Sequence, residues 1–328
     1  MNATQPQPTS QFAAAQPLVT PAGAGTVYDF PAFGHRILSK VSTRDTGGAF
    51  AVGEVVAEKK GGVPPHIHSR EEETFYVLDG RFEFQIGDET IEAGVGDTVF
   101  APRLVTHAFR CVSEDGGRAL ILATPGEFEN FLAELAQIPP SPEAEAQAAA
   151  LFDRYGLGFV APGHRTEPNS APFAPLVVPA GQGQFFDLGD HRGWGKVGSP
   201  HNGGAFLLAE THVDPNGGVP PHIHRREEET FYILEGRFAL QVGDQTIKAG
   251  PGDTVFAPRD LMHTWRCVGE TPGRFLLLIT PGANFEAFAG EMPQRNLVPA
   301  RDMADPTLAA QFMALTEQYG IEMLPPVK

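Results

Sequence analysis

His66-Ile67-His68-Ser69-Arg70-Glu71-Glu72-Glu73, with His107 downstream, sets the fold class of this chain. Two imidazoles, a carboxylate and a third imidazole form a metal-ligand set. Alternate side chains of an extended segment share a face, so His66 and His68 point one way and Ile67 the other. Glu73 shares a face with Phe75 on the next strand, and His107 shares one with Phe109. The stretch returns as His222-Ile223-His224-Arg225-Arg226-Glu227-Glu228-Glu229, followed by His263.

Outward from the stretch, 61–111 aligns with 217–267 without a gap, and about three-quarters of the positions are identical. A duplication of this length copies a whole domain. Within one copy the signals are those of strands. Thr74-Phe75-Tyr76-Val77-Leu78 is β-branched and aromatic and stops at Asp79-Gly80, a hairpin signal. Arg81 to Ile86 alternates polar and apolar residues and stops at Gly87-Asp88. Thr98 to Pro102, His107 to Val112 and Ala119 to Ala123 follow. Short strands with regular turns predict a sandwich or barrel in each copy.

After each barrel the pattern turns helical. Phe128, Phe131, Leu132 and Leu135 share one face, and Pro139-Pro140 ends that segment. Ser141-Pro142 opens a second helix that runs to Tyr155-Gly156, and Asp305-Pro306 opens its counterpart, which runs to Tyr319-Gly320. The expected layout is a disordered N-terminal arm over 1–25, barrels over 26–135 and 180–290, a helical appendix and Pro-rich linker over 136–179, and a second helical appendix over 291–328. Both appendices are expected outside the barrels.

Imidazole with carboxylate suits Fe, Mn, Ni, Co, Cu or Zn and is too rich in nitrogen for Ca or Mg. One divalent transition metal per copy is expected, held by His66, His68, Glu73 and His107, and by His222, His224, Glu229 and His263. Glu73 is chosen from its run of three because it lies closest to the strand. Glu71 and Glu72 are read as solvated rim charges within reach of Arg70, and the same reasoning sets Glu229 apart from Glu227 and Glu228. Cys111 and Cys267 hold matching places and read as buried small hydrophobes, one in each domain.

The 328 residues carry a formal charge of -16, which opposes nucleic acid and anionic membrane surfaces as partners. No apolar run is long enough to span a bilayer, and the first residues lack a secretory pattern, so a cytoplasmic monomer or homodimer is expected.

Gly62-Val-Pro-Pro-His66-Ile-His68 with Glu73 and Gly80, and Gly96-Asp-Thr-Val-Phe-Ala-Pro102 with His107, resemble the two motifs of the cupin superfamily. Both recur in the second copy. The resemblance implies a bicupin, with two tandem jelly-roll barrels, mainly β. Where the second motif usually has Gly, this chain has Leu104 and Asp260. The Pro-Pro-His-Ile-His order with a helical appendix is similar to bacterial quercetin 2,3-dioxygenase-like proteins. In that family the metal binds flavonol and dioxygen, and the ligand glutamate accepts the 3-hydroxyl proton. The resemblance therefore implies a metal-dependent dioxygenase with Glu73 or Glu229 as both ligand and base. Phe75, Phe109, Phe231 and Trp265 would then line a pocket for a small aromatic substrate. Two alternatives stand beside it: a decarboxylase or isomerase acting on a small polar substrate, and a non-enzymatic binding or storage-like bicupin. By strand parity Arg110 and Arg266 face away from the metal side, which disfavours the first. Leu104-Val105-Thr106 becomes Asp260-Leu261-Met262 and Ala108-Phe109 becomes Thr264-Trp265, so the two pockets should differ in size and polarity.

Overall fold

The β-branched and aromatic runs pair into four antiparallel sheets, two in each half of the chain. The computed structural model describes residues 16–139, 141–160, 171–298 and 305–325. In the first half a seven-stranded sheet orders Leu176–Val178, Thr98–Ala101, Glu72–Asp79, Gly117–Thr124, Ala51–Ala57, His35–Val41 and Thr26–Phe30. A five-stranded sheet faces it, ordered Leu157–Phe159, Gly62–His68, His107–Cys111, Phe82–Ile86 and Glu89–Ala93. The second half repeats both sheets in the same order. Phe75, Val77, Phe82, Phe84, Val99 and Ile121 fill the space between the first pair of sheets. Gly80 turns the chain between sheets at φ 72°, where a β-carbon would sit 2.6 Å from the Gly116 carbonyl oxygen. Only glycine fits there.

The described part of the N-terminal arm is a correction to the sequence reading. Residues 1–15 lie outside the described residues, but Leu18–Thr20 is a strand that pairs with Thr254–Ala257 of the second half. Leu176–Val178, expected in the linker, pairs with Thr98–Ala101 of the first half. Each half is thus completed by a strand that precedes the other, and the expected boundaries cut through both large sheets. Residues 161–170 of the linker lie outside the described residues.

The appendices are also more than outer cover. The helices Phe128–Leu135 and Ala144–Tyr155 lead to Leu157–Phe159, which pairs with the strand carrying His66 and His68. Pro306–Gln318 leads in the same way to Ile321–Met323 beside His222 and His224. Asp305 caps that helix by accepting from the backbone N–H of Thr307 and Leu308, at 2.7 and 3.2 Å, ahead of Pro306.

The two large sheets meet back to back. Tyr76, Phe100, Leu120 and Leu122 join Tyr232, Phe256, Leu276 and Leu278 in one apolar cluster. A buried polar pair crosses it twice. Tyr232 Oη donates to Glu54 (3.2 Å), whose carboxylate lies 3.6 Å from buried Lys40 Nζ. Tyr76 Oη donates to Glu210 (3.0 Å), which lies 3.5 Å from Lys196 Nζ. Truncating Glu54 leaves the buried Lys40 ammonium without its carboxylate, held only by the Pro21 and Ala24 carbonyls at 3.2 and 3.1 Å. Glu54→Ala is therefore expected to cost roughly 3–5 kcal/mol, read as a lower urea midpoint. An unchanged midpoint would show that the interface does not depend on the pair.

Candidate metal centre

The register of the small sheets builds the centre. His107 stands opposite His66, and His263 opposite His222, on antiparallel neighbours. The ladder shifts by one residue immediately beyond each third histidine, a bulge that re-aims the side chain. Glu73 and Glu229 enter from the large sheet. The outcome is two buried clusters, His66–His68–Glu73–His107 and His222–His224–Glu229–His263, with one ligand atom from each residue within 4.8 Å of the others.

The backbone orients the imidazoles. His66 Nδ1 donates to the Pro64 carbonyl (3.0 Å) and His107 Nδ1 to that of Val105 (3.0 Å). His222 Nδ1 donates to Pro220 (2.8 Å) and His263 Nδ1 to Leu261 (3.1 Å). Each bond uses the Nδ1 proton and leaves Nε2 as the ligand atom. His107 Nε2 then lies 3.0 Å from Glu73 Oε2, and His263 Nε2 3.1 Å from Glu229 Oε2. Two acceptors that close need a cation, either a proton or a metal ion. Ligand atoms bound at about 2.1 Å and a right angle to one another lie about 3.0 Å apart, so the spacing fits a transition metal. His68 Nε2 faces Glu73 and is buried without a hydrogen-bond partner, which also fits a metal-ligand role.

Electrostatics hold the set ready for metal. Burial pushes His66 and His222 well below the ordinary histidine range, and the neighbouring imidazoles add to the effect. Burial alone would raise Glu73 and Glu229. The imidazoles beside them win, with His68 and His107 holding Glu73, and His224 and His263 holding Glu229, at about 2. Burial lowers His224, but Glu229 and Glu227 together bring it above its usual value.

Glu71 and Glu227 are a correction. Both are 1% exposed, so neither is a rim charge. Glu227 Oε2 accepts from His224 Nδ1 at 3.2 Å, and its other oxygen accepts from Asn284. Glu71 Oε2 lies 3.5 Å from His68 Nδ1. A carboxylate behind a ligand histidine fixes its ring and raises its basicity. The His-x-x-Glu spacing, present in both copies, was the signal available. Glu72 is buried too and pairs with Arg103 rather than Arg70.

The two centres differ in what lies beside them. A cavity of about 330 Å³ opens on His222, His224 and Glu229, walled by Trp265, Phe285 and Met292 among others, and among the described residues its lining holds no lysine or arginine. Of the four aromatics expected at a pocket, Trp265 lines this cavity, whereas Phe231 packs against Phe275 at 5.4 Å. Phe75 and Phe109 are buried 5.4 Å apart in the first barrel, in contact with Phe84. Arg110 and Arg266 are exposed and bond to Glu83 (2.7 Å) and the Asn216 carbonyl (2.9 Å). Leu104 and Asp260 hold φ of 66° and 65°, the conformation that favours glycine, while their N–H groups bond to the His68 and His224 carbonyls at 2.8 Å. Cys111 and Cys267 are free and buried. Among the described residues no helix is long and apolar enough to cross a membrane.

Residues 53–123 and 209–279 each match the Cupin domain family. Quercetin 2,3-dioxygenase of Bacillus subtilis (strain 168) is 26% identical over 270 residues, covering 76% of this chain and 78% of that protein. Quercetin 2,3-dioxygenase of Aspergillus japonicus is 26% identical over 244 residues, covering 60% and 69%. Among solved structures, the Lactobacillus farciminis oxalate decarboxylase formate complex has a TM-score of 0.58 at 16% identity, covering 83% of this chain and 90% of that one. That likeness is one of fold.

Proposed function

The chain is a tandem pair of cupin domains with two His3Glu metal-binding sites, and from that premise we propose that it is a metal-dependent dioxygenase cleaving a flavonol of the quercetin type or a related enolisable aromatic. One observation carries the reading: the cavity on the second centre is apolar and aromatic, and no lysine or arginine among the described residues stands in its wall. Such a wall desolvates a flat aromatic substrate well and a small dianion such as oxalate badly.

The protein's own groups have defined tasks in this reading. His222, His224, Glu229 and His263 hold the metal, as His66, His68, Glu73 and His107 do in the first barrel. Trp265 and Phe285 flank the substrate ring and exclude water. Glu229 accepts the proton of the substrate hydroxyl. A carboxylate held at about 2 is a weak base, so the hydroxyl must be acidified as its proton moves. When bound, the metal supplies that acidification as a Lewis acid and a site where dioxygen reacts.

The oxalate-type alternative is favoured only by the fold likeness. The two readings separate in one assay. Metal-loaded protein is expected to consume oxygen with quercetin and to release no carbon dioxide from oxalate. The reverse pattern would reject the dioxygenase.

A further inference from the structure

We infer that substrate enters the C-terminal barrel alone, in a chamber hollowed by Gly193, Ala289 and Thr316 and given a polar end by the pair Asp190–His191. The inference rests on the proposed function for the class of ligand, but not for the reaction.

Strand register identifies the equivalent positions in the two barrels. Gly193 stands between Phe186 and Thr211, and Ile37 stands in the same way between Tyr28 and Val55. Phe285 lies against His224 (5.7 Å) as Phe128 lies against His68 (4.8 Å). One helical turn on from each comes Ala289 in the second barrel and Leu132 in the first. Thr316 stands three residues before Tyr319-Gly320, where the first barrel has Phe152 before Tyr155-Gly156. All three small residues line the cavity.

Their large counterparts fill the first barrel. Phe152 packs edge-on to Phe131 at 5.0 Å and tilted against Phe159 at 4.8 Å, and Ile37 and Leu132 join the same core cluster. Volume removed on three separate elements thus makes one chamber, and its roughly 330 Å³ falls at the lower end of small-molecule sites.

The polar end is equally one-sided. His191 Nδ1 donates to Asp190 Oδ1 at 2.7 Å, and Asp190 Oδ2 accepts from the Gly218 N–H at 3.0 Å. Both residues line the chamber, and His191 stands edge-on to Trp265 at 5.1 Å. With Nδ1 committed to Asp190, the imidazole keeps Nε2 for a ligand hydroxyl. The first barrel has Gly34-His35 there, with His35 set among Phe30, Phe33 and Phe109. The chamber therefore suits a flat aromatic bearing a hydroxyl away from the metal-binding end.

Calorimetric titration of manganese-loaded protein with quercetin under nitrogen tests this apart from turnover. One quercetin per chain is expected. Gly193→Ile with Ala289→Leu, and separately Thr316→Phe, should weaken binding by at least about tenfold while the metal content per chain stays unchanged. Asp190→Asn, which keeps the shape, should weaken it by a smaller factor. Two quercetins per chain, unchanged affinity in filled variants that retain metal, or no binding at all overturns the inference. Single-site binding lost on filling, without oxygen consumption in air, would instead reject the dioxygenase and leave the chamber standing.

Discussion

Glu229→Gln is expected to lower oxygen consumption with quercetin by roughly 10²- to 10⁴-fold. The amide keeps the shape of the carboxylate and an oxygen for the metal, but it no longer accepts the substrate proton. It also removes the charge that His224 and His263 face at 3.4 and 3.1 Å. Metal content separates the two losses. A variant that retains its metal and loses turnover has lost the base. One that loses metal as well has lost a ligand. The same change at Glu73 should cost less turnover, because Ile37, Leu132 and Phe152 fill the space beside that centre. Wild-type rates in a metal-retaining Glu229→Gln would remove Glu229 from the proton transfer.

The second large effect is on stability, and it appears when the metal is stripped. His66 and His222 are held neutral by burial, with folded values well below 6.5. In the unfolded chain they take up protons near 6.5. Below that pH the unfolded state binds more protons, so the metal-free protein loses stability as pH falls. Glu73 and Glu229 are held at about 2 and return to about 4.3 on unfolding. Their contribution is complete above the unfolded value and is lost as pH falls from there towards 2. Two successive losses are therefore expected, one starting at about pH 6.5 and one at about pH 4.3. Metal at about 1,000 times its dissociation constant adds about 4 kcal/mol per site at neutral pH. Protons compete for the same ligand atoms, so this gain also shrinks in acid. Thermal midpoints with and without chelator, taken from about pH 7 to about pH 3, check both points. A metal-free midpoint that stays flat over that range would contradict the electrostatics described for the two centres.

The two clusters of histidine and glutamate were the most legible part of the sequence. His66, His68, Glu73 and His107 could be placed because strand alternation gives each a side, and because the duplication repeats the set at His222, His224, Glu229 and His263. Other features were hidden for separable reasons. Leu18–Thr20 and Leu176–Val178 are too short to show a period, and each pairs with a strand in the other half of the chain. Glu71 and Glu227 lie across a bend from His68 and His224, where strand alternation no longer says which way a side chain turns. The cavity was hidden most deeply. The sequence comparison pointed to the residues around His107 and His263, and Trp265 does line the cavity. Its space, however, comes from side-chain volume missing at Gly193, Ala289 and Thr316. These lie on three distant segments, and only the folded chain brings them together.

Metal stoichiometry tests the central claim most directly. Elemental analysis of purified protein loaded with a divalent transition metal should give two ions per chain in the wild type, one in His66→Ala and one in His222→Ala. No bound metal, or the same content in all three proteins, would contradict an account built on one metal centre written twice.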